Sequence, residues 1–326
     1  MVWRLEDDAI AEFIVSTLDD ETFDGRTLEQ ETADGGGLSL REAIALANDA
    51  AGADTISFGA GGQGLLRLTE GRIRITDETT INGGGEVTIT GDAGSNDVTL
   101  AGGITDIAAT LEASANGLAD NSQIFNATRS LTLTDLILTG GATDGFLQVG
   151  GAVASSVDIT LINTVIAGNA TLDDFANGGG LYSAGSIMIT GGQITGKSTA
   201  GTGAFGGGVA ALGDVTIINS TLSGNQTTGG ASIGGGALAQ GILTLTNSTV
   251  TNNSVTGGNS DGGGVVGGTG LVIANSIVLG NFAMQGDDGE LVETAGDGAP
   301  TFTGANIVGA DGGAIASEQP HLSGPN

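Results

Sequence analysis

A 28-residue repeat runs through the middle of the chain, from Leu131 to Phe282. Triple-glycine blocks recur at this step, beginning at Gly178, Gly206, Gly234 and Gly262. A fixed period of about 20–50 residues indicates an array in which each unit buries its apolar face against its neighbours. Two more columns keep the same step, namely Asp135, Asn163, Gly191, Asn219, Asn247 and Asn275, and Gly168–Asn169, Gly196–Lys197, Gly224–Asn225, Asn252–Asn253 and Gly280–Asn281.

Within each repeat, aliphatic residues alternate with polar or small ones. This period-2 pattern, rich in β-branched residues, is typical of a strand with one buried face. The aliphatic columns are Leu131, Ile159, Ile187, Val215, Leu243 and Leu271, and then Leu133, Leu161, Ile189, Ile217, Leu245 and Ile273. Two or three short strands per 28 residues fit one coil of a parallel β-helix, in which equivalent residues stack about 4.8 Å apart. We therefore predict an all-β fold, a single-stranded right-handed parallel β-helix with the asparagine column stacked at one turn.

One helix precedes the coils. Ser39 and Glu42 have the spacing of a capping box, and Leu40 to about Ala50 follows with one apolar face. We predict an N-terminal α-helical cap over residues 1–52, because such a cap protects the exposed edge of a β-helix. The β-helix is expected over residues 53–309, with imperfect first coils that include Val98–Leu100 and regular coils over 131–282. Residues 310–326 are expected to form a tail or the start of a following module.

The composition excludes several classes of protein. The formal net charge of −29 disfavours binding to nucleic acid and to anionic membranes. Cysteine is absent, so neither disulfides nor thiolate metal sites form. No apolar run approaches the 18 residues of a membrane span, and we expect no membrane insertion. The N-terminal residues do not have the pattern of a signal peptide.

Residues with catalytic chemistry are scarce. Between Leu131 and Phe282 there is no Glu, Arg or His, and Lys197 is the only cation. Asp158 and Asp214 share a column two coils apart, about 10 Å by the strand spacing, which is close to the carboxylate separation of inverting glycosidases. No third acid or histidine supports them, so we predict no catalytic residues. The arginines that follow the cap, Arg67, Arg72 and Arg74, are expected to pair on adjacent rungs with the nearby acids Glu70, Asp77 and Glu78.

Acidic turns are the candidate metal ligands. Oxygen clusters on loops suit calcium, although no EF-hand spacing is present. The candidates are Asp19, Asp20 and Asp24, then Asp173 and Asp174, then Asp287, Asp288 and Glu290. We predict that the fold requires no cofactor, with Ca²⁺ as a ligand that these turns accommodate.

The segment Gly37–Asn48, GLSLREAIALAN, followed by Ala53–Phe58, resembles the CSLREA-type N-terminal segment of bacterial right-handed parallel β-helix proteins. Leu38 stands where that family often has cysteine. The resemblance implies a secreted or surface-anchored bacterial protein, and export of the type I kind. Some members end in calcium-binding nonapeptide repeats, but the pattern Gly-Gly-x-Gly-x-Asp is absent here, so that property is not carried over.

Three functions remain open at this stage. We expect a non-enzymatic structural or adhesive module of a secreted or cell-surface protein, in the form of a rigid β-helical rod. The alternatives are a polysaccharide lyase or hydrolase on the same fold, and a flat threonine-rich face that binds polysaccharide or ice. The expected partners are extracellular polysaccharide, the cell surface, or other copies of the chain that pair through its C-terminal edge.

Overall fold

The structure, a computed structural model, describes residues 11–33, 35–94, 98–100, 104–106, 121–143, 147–258, 261–285, 288–290, 294–296 and 300–309. The described chain winds into a solenoid whose strands pair in parallel with the strands of the coils before and after. Most of the secondary structure belongs to three sheets, which form the sides of the solenoid.

Sheet 1 is the largest, with 17 strands. Its strands are Glu12–Val15, Asp54–Phe58, Gly64–Arg67, Thr79–Thr90, Leu131–Thr139, Ile159–Ile162, Val165–Ala167, Ile187–Thr190, Gln193–Thr195, Val215–Ile218, Thr221–Ser223, Ile242–Thr246, Thr249–Thr251, Gly270–Ala274, Ile277–Leu279, Thr301–Thr303 and Ile307–Gly309. In the regular coils each turn of the chain contributes two consecutive short strands, separated by a corner residue with positive φ such as Asn219.

Sheets 2 and 3 are narrower. Sheet 2 contains Ala142–Thr143, Ala170–Thr171, Ser198–Thr199, Gln226–Thr227, Ser254–Val255, Phe282–Gln285 and Asp288–Glu290. Sheet 3 contains Ile73–Ile75, Phe125–Ala127, Val153–Ser155, Leu181–Ser183, Val209–Ala211, Ala237–Ala239, Val265–Gly267 and Thr294–Gly296. Val98–Leu100 and Ile104–Asp106 form a separate antiparallel pair. The prediction that Val98–Leu100 belongs to an early coil was therefore wrong, because this strand pairs locally and not with a neighbouring coil.

The register follows the sequence period. Thr216 lies opposite Met188 on one side and Thr244 on the other, so that paired residues are 28 apart. At the end of the described chain the step lengthens, since Val272 pairs with Thr301 and Ile277 with Ile307. The predicted parallel β-solenoid with coils of about 28 residues is confirmed.

The core is a narrow aliphatic interior. The two predicted columns point inward, and Leu133, Leu161, Ile189 and Ile217 are fully buried. Each such side chain contributes roughly 1.5–3 kcal/mol by removal of its apolar surface from water. Stacking like residues on like residues therefore stabilises the array.

Two α-helices, α1 (Leu28–Ala33) and α2 (Leu40–Asp49), lie near the N-terminus, and a 3₁₀ turn spans Ala60–Gly62. The predicted helix is α2, and its capping box is complete: Ser39 Oγ accepts from the Glu42 backbone N–H, and the Ser39 N–H donates to Glu42 Oε2. Its buried face packs against strands Glu12–Val15, Asp54–Phe58 and Ile73–Ile75. Sheet 1 thus begins at Glu12, within the segment predicted as the cap.

Candidate functional site

The outer surface of sheet 1 carries the side chains that alternate with the core columns. In Val215–Ile218 the residues Val215 and Ile217 are buried, whereas Thr216 and Ile218 are partly exposed. The first strand of each regular coil contributes two such outward residues and the second strand another two. We call these positions the outer face; they are Thr132, Thr134, Ile137, Thr139, Thr160, Ile162, Val165, Ala167, Met188, Thr190, Gln193, Thr195, Thr216, Ile218, Thr221, Ser223, Thr244, Thr246, Thr249, Thr251, Val272, Ala274, Ile277 and Leu279.

No position of the outer face holds a charged residue, although the whole chain has a net charge of −29. Half of the positions are threonine, and most of the others are aliphatic. Asp158 and Asp214 of the same coils lie in turns, whereas Asp135 lies at the corner position within strand Leu131–Thr139. The outer face is therefore an uncharged surface on a strongly acidic molecule.

The hydroxyl groups of the outer face are free. None of its threonine hydroxyls, nor that of Ser223, makes a hydrogen bond to another group of the described chain. The contrast with the corner position is direct, because Ser248 Oγ donates to the Thr246 carbonyl oxygen at 2.8 Å and accepts from the Ser220 N–H at 3.2 Å. The corner hydroxyls are thus used within the protein, whereas those of the outer face are available to a ligand.

The asparagine column is exposed, and the buried amide ladder belongs to the other column. Asn219 and Asn247 stack as predicted, with Asn247 Nδ2 donating to Asn219 Oδ1 at 3.2 Å. Both have positive φ and face solvent. The buried ladder is formed by Asn225, Asn253 and Asn281, whose amides bond to one another at 2.8 Å between sheets 1 and 2.

Lys197 interrupts the same buried column between Asn169 and Asn225. It occupies the position equivalent to Asn225 one coil earlier, and its side chain is buried. Burial lowers the pKa of the Lys197 amine well below its ordinary value. The sequence identified Lys197 as the only cation of the coils, but it gave no sign of this burial.

The first group of predicted calcium ligands lies in the N-terminal region. The carboxylate of Asp20 accepts from Arg41 Nε at 2.7 Å and from the backbone N–H groups of Thr69 and Glu70. Asp24 pairs with Arg26 at 2.9 Å. Asp19 Oδ2 accepts from the Thr17 hydroxyl.

The other predicted calcium ligands lie on loops of the coils. Asp174 Oδ1 accepts from the Thr202 N–H at 2.8 Å, and Asp173 is its neighbour. Asp287 falls outside the described residues, whereas Asp288 and Glu290 lie in a strand whose side chains are not described. Within the described ranges no three histidine, aspartate or glutamate side chains converge as a metal site. Calcium binding stays a prediction.

The two aspartates considered for catalysis close the turns between coils. Asp158 Oδ1 accepts from the Ser186 N–H at 2.7 Å, and Asp214 Oδ1 accepts from the Ile242 N–H at 2.8 Å. Ser186 Oγ lies between them and accepts from the Asp214 N–H at 3.1 Å. Each side chain therefore caps a backbone donor of the next coil, which gives these residues a structural role.

The arginines that follow the cap do not pair with the expected acids. Arg67 lies 3.9 Å from Asp92. Arg72 and Arg74 make no ion pair and no side-chain hydrogen bond within the part of the chain that the structure describes. The expectation that acidic residues on adjacent rungs neutralise the arginines was therefore wrong for Arg72 and Arg74.

No protein-family model, no curated protein and no solved structure matches this chain. The class that the fold defines is the parallel β-solenoid, and the resemblance to the CSLREA-type family stays a prediction. No helix in the described ranges combines the length and the apolar character needed to cross a membrane.

Proposed function

We propose that this chain is a non-enzymatic, rigid solenoid module that adheres to uncharged polysaccharide through the outer face of sheet 1. The observation that carries the proposal is the set of free hydroxyl groups on a surface without charge, in a chain whose net charge is −29. A secreted or cell-surface location is part of the proposal, and it rests on the N-terminal resemblance.

Neutral polysaccharides present two kinds of surface, apolar C–H faces and hydroxyl edges. The aliphatic side chains of the outer face, such as Ile162 and Ile218, suit the first kind, and the free threonine hydroxyls suit the second. Binding would desolvate no charge, which avoids the largest cost of burying polar groups. Because equivalent residues recur about every 4.8 Å, weak contacts repeat along the rod and add up by multivalency.

The roles of the coil aspartates support a binding function over a catalytic one. Asp158 and Asp214 accept hydrogen bonds from the backbone of the next coil, and the one lysine amine of the regular coils, that of Lys197, is buried. An enzyme acting on polysaccharide needs an acid and a base that converge on the bound substrate.

Adsorption to insoluble neutral polysaccharide tests the proposal. Purified protein is incubated with microcrystalline cellulose and with chitin, and the depletion of the supernatant gives a binding isotherm. The double variant Thr216→Lys/Thr244→Lys places two charges on the outer face and should weaken adsorption by about tenfold or more. The matched control Gln226→Lys/Ser254→Lys adds the same charges to sheet 2 and should adsorb like the wild type.

Failure of the wild type to adsorb, or an equal loss in the sheet 2 control, would contradict the proposal. The columns of threonine also raise ice as a ligand, but Met188, Ile162, Ile218 and Val272 interrupt them. Thermal hysteresis that is present in the wild type and absent in Thr216→Lys/Thr244→Lys would assign the face to ice instead.

A further inference from the structure

A small open pocket lies at the N-terminal end of sheet 3, away from the outer face. Its volume is about 190 Å³, and its walls include Arg72, Gln123, Asn126, Leu147 and Ala154. Pockets for drug-sized ligands measure roughly 300–1,000 Å³, so this one suits a single small unit. The walls come from segments far apart in sequence, which only the solenoid brings together.

The pocket carries positive charge that the described chain does not neutralise. Arg72 is exposed and makes no ion pair among the described residues. Arg74 follows two residues later in the chain and lies directly opposite Asn126 in the parallel register. The backbone at Arg72 is held by Arg41. The Arg41 guanidinium binds Asp20 and also donates to the carbonyl oxygens of Gly71 and Arg72. The backbone that carries the Arg72 guanidinium is therefore fixed before any ligand arrives.

The amides of the pocket are also incompletely satisfied. Gln123 Nε2 donates to the carbonyl oxygens of Val149 and Gly150, both at 2.7 Å. Its Oε1 is buried and has no hydrogen-bond partner among the described residues. The side chain of Asn126 is half-buried and makes no hydrogen bond there either. Because Gln123 Oε1 is enclosed, the amide that is available to a ligand in the pocket is that of Asn126.

We propose that this pocket binds one carboxylated sugar unit, a uronate. The Arg72 guanidinium has the planar fork that matches a carboxylate. The half-buried Asn126 amide can both donate to and accept from a hydroxyl of the sugar. Leu147, which is 57% exposed, and Ala154 would contact the C–H groups of the ring. This site is independent of the outer face, and its ligand is bound and not cleaved.

Isothermal titration of the full chain tests the assignment with D-galacturonate and D-glucuronate as probes, and with D-galactose, D-glucose and acetate as comparisons. We expect a uronate to bind at least about tenfold more tightly than the matching neutral sugar and than acetate, because it uses the guanidinium and the Asn126 amide together. Raising the salt concentration should weaken the binding. A uronate that binds no more tightly than the neutral sugar overturns the carboxylate assignment, and one that binds no more tightly than acetate overturns the sugar assignment.

Variants locate the site. Arg72→Gln should reduce uronate affinity by about tenfold or more, and Asn126→Ala by a smaller factor. Arg129→Gln is the matched control, since Arg129 is also exposed, lies outside the pocket, and loses the same charge. Its affinity should equal that of the wild type, and the unfolding temperatures of all variants show whether the fold is kept. Unchanged affinity in Arg72→Gln, or an equal loss in Arg129→Gln, contradicts the proposal.

Discussion

Lys197 Nζ donates a 2.9 Å hydrogen bond to the carbonyl oxygen of Thr195. In the coil before, Asn169 Nδ2 makes the equivalent bond to Ala167 at 3.0 Å. Lysine thus replaces the donor of an asparagine amide but not its carbonyl oxygen. In the following coil, Asn225 Oδ1 accepts from the Lys197 backbone N–H at 3.2 Å, whereas the side chain of Lys197 makes no such bond to the Asn169 N–H. Between Asn169 and Asn281, all within the described residues, the ladder is broken at Lys197.

Lys197→Asn should repair this defect. The change restores an acceptor for the Asn169 N–H and removes the cost of a buried amine, so we expect a gain of about 1–3 kcal/mol in the free energy of unfolding at pH 7. Urea denaturation of the variant and the wild type measures it. The neighbouring coils already hold asparagine at this position, so the variant side chain fits there.

The pH dependence of that gain tests its cause. Because burial lowers the pKa of Lys197 in the folded state, the unfolded chain binds the extra proton, and the wild type gains stability as the pH rises toward 10.5. The advantage of Lys197→Asn should therefore shrink between neutral and alkaline pH. Lys197→Met, which removes the amine without adding an acceptor, should show the same trend with a smaller gain. A destabilised Lys197→Asn, or a gain that is independent of pH, would contradict this account.

Glu31 on α1 should make the N-terminal region sensitive to pH. Burial, together with Glu42 and Asp24, raises the pKa of its carboxyl from 4.5 to about 7. The folded state thus holds the proton more tightly than the unfolded state. The wild type should therefore lose stability relative to Glu31→Gln as the pH rises from 4.5 to about 7, with no further loss at higher pH. Melting temperatures from pH 4 to 8 measure the difference. Glu29→Gln, at an exposed position on the same helix, is the control, and parallel curves for Glu31→Gln and the wild type would sink the prediction.

Asp214 should matter for the turn and not for chemistry. Asp214→Asn keeps the Oδ1 acceptor for the Ile242 N–H and should change stability by less than about 0.5 kcal/mol, whereas Asp214→Ala should lose about 1 kcal/mol. Neither variant nor the wild type should cleave polysaccharide, as followed by the release of reducing ends. Turnover by the wild type that disappears in Asp214→Asn would show that the carboxylate is catalytic.

The coils were predictable because stacking requires the same kind of residue at the same step. The buried columns at Leu131 and Leu133 therefore revealed both the strands and their parallel register. The two asparagine columns have equal periods, so the sequence did not distinguish exposed Asn219 from the buried ladder of Asn225. The difference in burial arises because the corner at Asn219 faces solvent, whereas the corner at Asn225 faces the core.

Long-range pairing limited the rest of the prediction. Strand Glu12–Val15 pairs with Asp54–Phe58. Both strands lie outside the repeat, so the sequence period did not predict this pairing. The pocket has the same origin, since Arg72, Gln123 and Leu147 share no motif and meet only in the folded chain. Sequence reasoning assigned Arg72 to a salt bridge because acidic residues are its neighbours along the chain.

The most direct test of adhesion through sheet 1 uses the methionines as reporters. Met188 is 43% exposed on the outer face, whereas Met284 is partly exposed on a strand of sheet 2. Limited oxidation with hydrogen peroxide, followed by mass spectrometry of the peptides, gives the rate of sulfoxide formation at each. On microcrystalline cellulose or chitin, whichever the protein adsorbs to, the oxidation of Met188 should slow severalfold while that of Met284 stays constant. Equal rates at Met188 in the free and adsorbed protein would contradict the proposal that this face binds.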